Sequence, residues 1–157
     1  MNYFTETAAN ILGNSKLRTP QIEAYIKAQE HFASSNDDAL IVLPTGTGKS
    51  GLISIVPFGL AKGRVLIITP GLVTKQSIRK TQELLEDNFW INFDVIFSAD
   101  DLPITCEFNS QTLLANLEQS HFVYSNIQQV HSERSSSLTK RVPSDFFDLI
   151  IIDEGHH

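Results

Sequence analysis

Short apolar runs rich in β-branched residues alternate along this chain with longer stretches of helical periodicity. Runs at 39–43, 64–69, 93–97, 121–125 and 147–152 predict strands. Between them the spacing predicts helices at about 3–12, 20–33, from Lys49 onward, 75–87 and 110–118, with a short helix before the last strand. In 20–33, Thr19 and Pro20 suit an N-cap and a first helical position, and Ile22, Ile26, Phe32 and three alanines supply an apolar face. In 75–87, Ile78, Leu84 and Leu85 would face inward. Pro57 is expected to stop or kink the helix that starts near Lys49. Leu149-Ile150-Ile151-Ile152 reads as a strand buried on both faces. Strands alternating with helices imply an α/β fold with a mostly parallel, doubly wound sheet.

Composition narrows the class. At 157 residues and 41% hydrophobic, the chain can bury one core and is too short for two full domains. No apolar run reaches the ~18 residues of a membrane span. Met1 to Gly13 lacks the basic start and apolar stretch of a signal peptide. Cys106, a lone cysteine, cannot form an internal disulfide, which fits a cytoplasmic location. A net charge of −6 argues against a general polyanion-binding surface. Two local basic groups stand out against it: Lys75, Arg79 and Lys80, and Arg134, Lys140 and Arg141.

The densest chemistry is Pro44-Thr45-Gly46-Thr47-Gly48-Lys49-Ser50, directly after the apolar run Ala39–Leu43. Glycines at 46 and 48 let backbone N–H groups approach phosphate oxygens without an intervening Cβ. A helix beginning near Gly48 adds its unpaired first-turn donors. Lys49 brings a full positive charge, and the Ser50 hydroxyl can ligate Mg²⁺. Position 43 is leucine where the general phosphate-loop pattern has glycine. The second constellation is Asp153-Glu154 after Leu149–Ile152. Carboxylates at the C-terminal edge of a parallel strand stand where ligands bind in open α/β sheets. There Asp153 can hold Mg²⁺ directly or through water, and Glu154 can orient and deprotonate an attacking water. His156 and His157 do not suggest zinc, because adjacent side chains diverge and no Cys or His pair at zinc spacing accompanies them.

Leu-Pro-Thr-Gly-Thr-Gly-Lys-Ser and Ile-Ile-Asp-Glu-Gly-His-His resemble motifs I and II of superfamily 2 helicases and translocases, in the Asp-Glu-x-His branch that includes restriction-enzyme motor subunits. The matches span residues 17 to 157. The resemblance implies a RecA-like nucleoside-triphosphatase sheet interrupted after the motif II strand, with residues 1–35 as an N-terminal helical segment and 36–157 as part of the first motor domain. It implies ATP and Mg²⁺ as cofactors. It implies that Gln21, in Leu17-Arg18-Thr19-Pro20-Gln21, recognises adenine. Thr69, Pro70 and Gly71, with Gln76 beyond, resemble the strand-to-helix turn that contacts a nucleic-acid backbone, and Ser125 resembles a further backbone contact. His156 matches the histidine that couples the ATP site to nucleic acid or to a second domain.

The same resemblance sets expectations about what lies outside these motifs. Motors of this class use two RecA-like domains, the second supplying an arginine finger, and place another strand between those of motifs I and II. Without that strand the two would lie ~9.5 Å apart, two strand spacings. The chain is therefore expected to be the N-terminal portion of a helicase or translocase that acts on nucleic acid, DNA in preference to RNA. Alone it would bind nucleotide weakly and turn over poorly, needing a second domain or partner chain. The alternative is a nucleotide-binding regulatory or interaction module with no motor activity.

Overall fold

The computed structural model describes residues 2–44, 46–69 and 89–153. Its centre is a four-stranded sheet in the order β2-β3-β1-β4, with β1 Arg64–Thr69, β2 Thr105–Glu107, β3 Phe122–Asn126 and β4 Phe147–Ile152. Every pairing is parallel. The intervening helices must therefore act as crossovers, and they cover both faces. On one face Val65, Ile67, Phe122 and Tyr124 join Leu52, Ile53 and Ile55 of α3 (Lys49–Ile55). The other face buries Leu66, Ile68 and Val123 against Phe108, Leu117, Val130 and Leu138. This is the α/β, doubly wound arrangement expected from the sequence.

The N-terminal segment belongs to the first of these layers. Phe4 of α1 (Tyr3–Glu6) meets Phe58 and Phe122 edge-on, at centroid distances of 5.1 and 5.2 Å. Ile11 and Leu17 lie in the same cluster. Trp90 is fully buried, and its indole N–H donates to the Ser54 carbonyl of α3 at 2.9 Å. The long helix α2 (Thr19–Ser34) packs against α3, and its buried stripe is Gln21, Ala24 and Ala28. Short side chains on that stripe allow close approach, while Ile26 points to solvent.

Several elements match their predicted spans closely. The strands expected at 64–69 and 147–152 occupy those residues, the strand expected at 121–125 is β3, and the helix expected at 20–33 is α2. The α-helix after the loop ends at Ile55, before Pro57, as the missing proline N–H requires. Other expectations are corrected. Residues 39–43 form no strand. Nor do residues 93–97, where the N–H groups of Val95 and Ile96 both bond to the Trp90 carbonyl and close off the helix Phe89–Asn92. The helix expected at 3–12 stops at Glu6, because the Asn10 and Asn14 side chains bond to the carbonyls of Asp94 and Phe93. The helix expected at 110–118 runs from Leu114 to Gln119, and β2 arises unannounced in the Pro-containing connection. The predicted helix at 75–87 lies outside the described residues.

The strand expected to be buried on both faces is covered on one. Leu149 and Ile151 pack against the α3 layer, whereas Ile150 is 55% and Ile152 66% exposed. Among the described residues β4 is an edge strand with β1 on one side, and no described element covers the face carrying these two residues.

Candidate nucleotide-binding site

Residues 46–48 lead from Pro44 into α3 through a tight turn. The Pro44 carbonyl accepts from both the N–H and the hydroxyl of Thr47, at 3.3 and 2.6 Å. Gly46 and Gly48 have φ of 83° and 93°, in the left-handed region where a side chain would be strained. Gly48 is the N-cap of α3, its carbonyl accepting the Leu52 N–H at 3.1 Å. Lys49 is exposed and Ser50 half-buried, so the ammonium and the hydroxyl are both within reach of a ligand. Thr45 lies outside the described residues.

The first turn of α2 lies against this loop. The Gln21 side chain is 3% exposed and bonded at both ends: its oxygen accepts the Arg18 N–H at 2.8 Å, and its nitrogen donates to the Gly48 carbonyl at 2.9 Å. The first contact is half of a capping box, one residue earlier than the Thr19 cap expected. The Arg18 guanidinium donates to the Gly46 carbonyl. No motif chemistry in the sequence marks Arg18 for this contact. Its only visible signal was the three-residue spacing to Gln21.

Asp153 sits just beyond β4. Its N–H bonds to the Ile68 carbonyl at 2.8 Å, so the pairing of β4 with β1 fixes its backbone, and the residue is 6% exposed. Thr69 ends β1 and Ser125 is the penultimate residue of β3, at the same C-terminal edge of the sheet, in register with Asn126 and Ile68. Both are fully buried. The Ser125 hydroxyl donates to the Phe108 carbonyl at 3.1 Å, and that of Thr69 lies 3.5 Å from the Ser125 carbonyl. Pro70, Gly71, Gln76, Lys75, Arg79, Lys80, Glu154, His156 and His157 lie outside the described residues. In the second basic group, Lys140 and Arg141 bond to the carbonyls of Glu133 and Thr112, and Arg134 is exposed.

The donor set suits a nucleoside triphosphate with Mg²⁺. Gly46 and Gly48 are already in the conformations that a phosphate cradle needs, and an exposed lysine and a serine follow at once. Ser50 and Asp153 offer oxygen ligands, as a hard cation that keeps several of its waters prefers. Among the described residues no cluster of three or more His, Cys, Asp or Glu residues is placed to hold a metal by itself. No described helix is long and apolar enough to cross a membrane.

No curated protein and no solved structure matches the chain. Residues 14–157 match the family described as type III restriction enzyme, res subunit. The chain belongs to that family, and its described fold is the N-terminal RecA-like region of a superfamily 2, helicase-like ATP-binding motor domain.

Proposed function

We propose that this chain is the ATP-binding part of a helicase or translocase, in which ATP hydrolysis drives movement on nucleic acid, DNA in preference to RNA. The observation that carries the reading is the phosphate loop itself, with left-handed Gly46 and Gly48 immediately before Lys49 and Ser50. Lys49 would hold the β and γ phosphates, and Ser50 and Asp153 would hold Mg²⁺, which when bound would supply charge to offset that of the phosphoryl group. Glu154 takes a proton from the water that attacks the γ phosphorus in line, as the bond to the β–γ bridging oxygen breaks and ADP leaves.

Adenine lies beside α2, near Gln21. Nucleic acid runs along the turn after β1, at Thr69, Pro70 and Gly71, and past Ser125. Because the side chains of Thr69 and Ser125 are buried, their contacts would come from backbone donors at the strand ends. His156 relays the state of the ATP site. A second RecA-like domain or a partner chain supplies an arginine finger worth about 10³ to 10⁵ in rate.

Calorimetric titration with MgATP tests the reading. Wild type should bind in a Mg²⁺-dependent manner, and Lys49→Ala should weaken binding at least ~10-fold, the loss of one charge-assisted contact. Absence of wild-type binding, or equal binding by Lys49→Ala, overturns it.

A further inference from the structure

Lys49 and Ser50 open a helix of only seven residues, α3. Helices shorter than about 12 residues are marginal in isolation, so contacts from elsewhere set where such a helix points. We infer that Phe89 and Trp90 are positioning residues that brace α3 in its first and last turns and so fix the direction in which it presents Lys49 and Ser50. The inference rests on the nucleotide-binding reading above.

The brace meets α3 along one stripe. Gly51 and Ser54, three residues apart, lie on the same side of the helix. At Gly51 the Phe89 ring stands where a side chain would be: a Cβ there would lie 2.7 Å from the ring and 2.5 Å from the Gln21 amide nitrogen. Glycine is a poor helix former, so its place two residues after Lys49 has a packing reason, the close approach of that ring and amide. At Ser54 the contact is polar. The Phe58 N–H, which would meet the Ser54 carbonyl if the helix continued, bonds to the Ile55 carbonyl at 3.1 Å, and the Trp90 indole N–H donates to the Ser54 carbonyl at 2.9 Å. The Ser54 hydroxyl donates in turn to the Ser50 carbonyl at 3.1 Å. The residue that Trp90 holds is therefore bonded to Ser50 itself.

The brace is held in place from its other side. Trp90 is fully buried and Phe89 nearly so, and the Phe93 ring stacks on Phe89 with centroids 4.7 Å apart, which leaves the Phe89 ring little room to yield. The Trp90 carbonyl accepts the N–H groups of Val95 and Ile96 at 2.8 and 3.0 Å. From the segment before α2, Asn14 donates to the Phe93 carbonyl at 2.7 Å, and Lys16 pairs with Asp94 at 3.0 Å. Two aromatic side chains anchored in this way can set the orientation of a helix that is too short to set its own.

Calorimetric titration with MgATP and hydrogen exchange in the ligand-free chain test the brace, on the full chain carrying Phe89→Ala, Phe89→Leu or Trp90→Phe. Trp90→Phe keeps a ring but has no N–H for the Ser54 carbonyl. The brace predicts that Phe89→Ala and Trp90→Phe weaken MgATP roughly 5-fold, as when the binding-competent arrangement is populated about one fifth of the time. Phe89→Leu, which keeps apolar bulk beside Gly51, should recover part of the loss. The Leu52 and Val56 amides, bonded to the Gly48 and Leu52 carbonyls, should exchange faster in the variants by a larger factor than the amides of β1. A residue that only adds to overall stability would speed both sets alike and leave the affinity of the folded chain unchanged.

Equal factors in α3 and β1 overturn the brace, as does wild-type affinity in both Phe89→Leu and Trp90→Phe. These two variants keep apolar bulk in the core, so the test stands even if Phe89→Ala fails to fold. Failure of the nucleotide reading shows differently. If wild type does not bind MgATP, that reading falls, and the exchange comparison alone decides whether Phe89 and Trp90 hold α3.

Discussion

Lys49 and Asp153 both follow apolar runs, yet the chain fixes them in place by different means. Leu149–Ile152 pairs with β1 residue by residue, and the ladder continues through the bond from the Asp153 N–H to the Ile68 carbonyl. Ala39–Leu43 pairs with no described strand. Leu40 is 86% and Val42 79% exposed, and a groove of about 610 Å³ separates residues 38–44 from α2. The carboxylate half of the site is thus held by a sheet, and the phosphate-loop half by side chains from α2. An apolar run becomes a strand only where a neighbour can take its N–H and carbonyl groups. Where none is present, a site residue at its end depends on other contacts.

The sharpest way to break this comparison is to damage the ladder. Ile67 lies in the middle of β1, fully buried, between Tyr124 of β3 and Ile151 of β4. Ile67→Ala should cost about 2 to 5 kcal/mol in urea denaturation, the range for truncating a buried aliphatic side chain. A cost near zero would mean that the sheet is not the rigid half of the molecule.

How far the sequence anticipated this division depends on what each signal physically encodes. Val65 to Ile68 alternate between two buried faces, and a near-continuous apolar strand is the signature of a central position. The composition of Leu149–Ile152 is similar, but whether both of its faces are covered depends on which elements stack on an edge strand, and periodicity does not contain that. Val95 and Ile96 are as β-branched as a strand needs. Their backbone donors are captured locally by the Trp90 carbonyl, a tertiary outcome of seating that indole against α3. In the candidate site, Gly46 and Gly48 were legible because their left-handed backbone in a tight turn favours glycine. Arg18 was not, since one guanidinium bonded to one carbonyl requires no motif.

A smaller effect sharpens the comparison from the sheet side through acid. His121 immediately precedes β3, and its Nδ1 accepts the Ile104 N–H at 2.8 Å, while its ring stacks on Tyr3 with centroids 4.0 Å apart. Burial lowers its pKa from the ordinary 6.5, and an accepting Nδ1 requires the neutral ring. Below pH 6.5 the unfolded chain therefore binds more protons than the folded one. Stability is fully present above 6.5, falls as the pH drops toward the folded-state pKa, and levels off below it. Thermal melts between pH 7.5 and 5 should show this loss, reduced in His121→Gln, which can accept a hydrogen bond but does not titrate in that range. An equal acid response in the two proteins would remove His121 as its source.

The smallest expected effect is the most direct probe of the loop side. Leu40 and Val42 precede the phosphate loop with their side chains in solvent, so changing them to serine removes little burial. Leu40→Ser and Val42→Ser should each change stability by no more than about 0.5 kcal/mol, as for ordinary surface substitutions. A serine at either position should also leave the Arg18 and Gln21 contacts intact, and MgATP affinity with them. If either change instead cost as much as Ile67→Ala, residues 39–43 would have to be packed as a strand in solution. The loop before Lys49 would then be held by a ladder as Asp153 is, and the distinction between the two halves would fail.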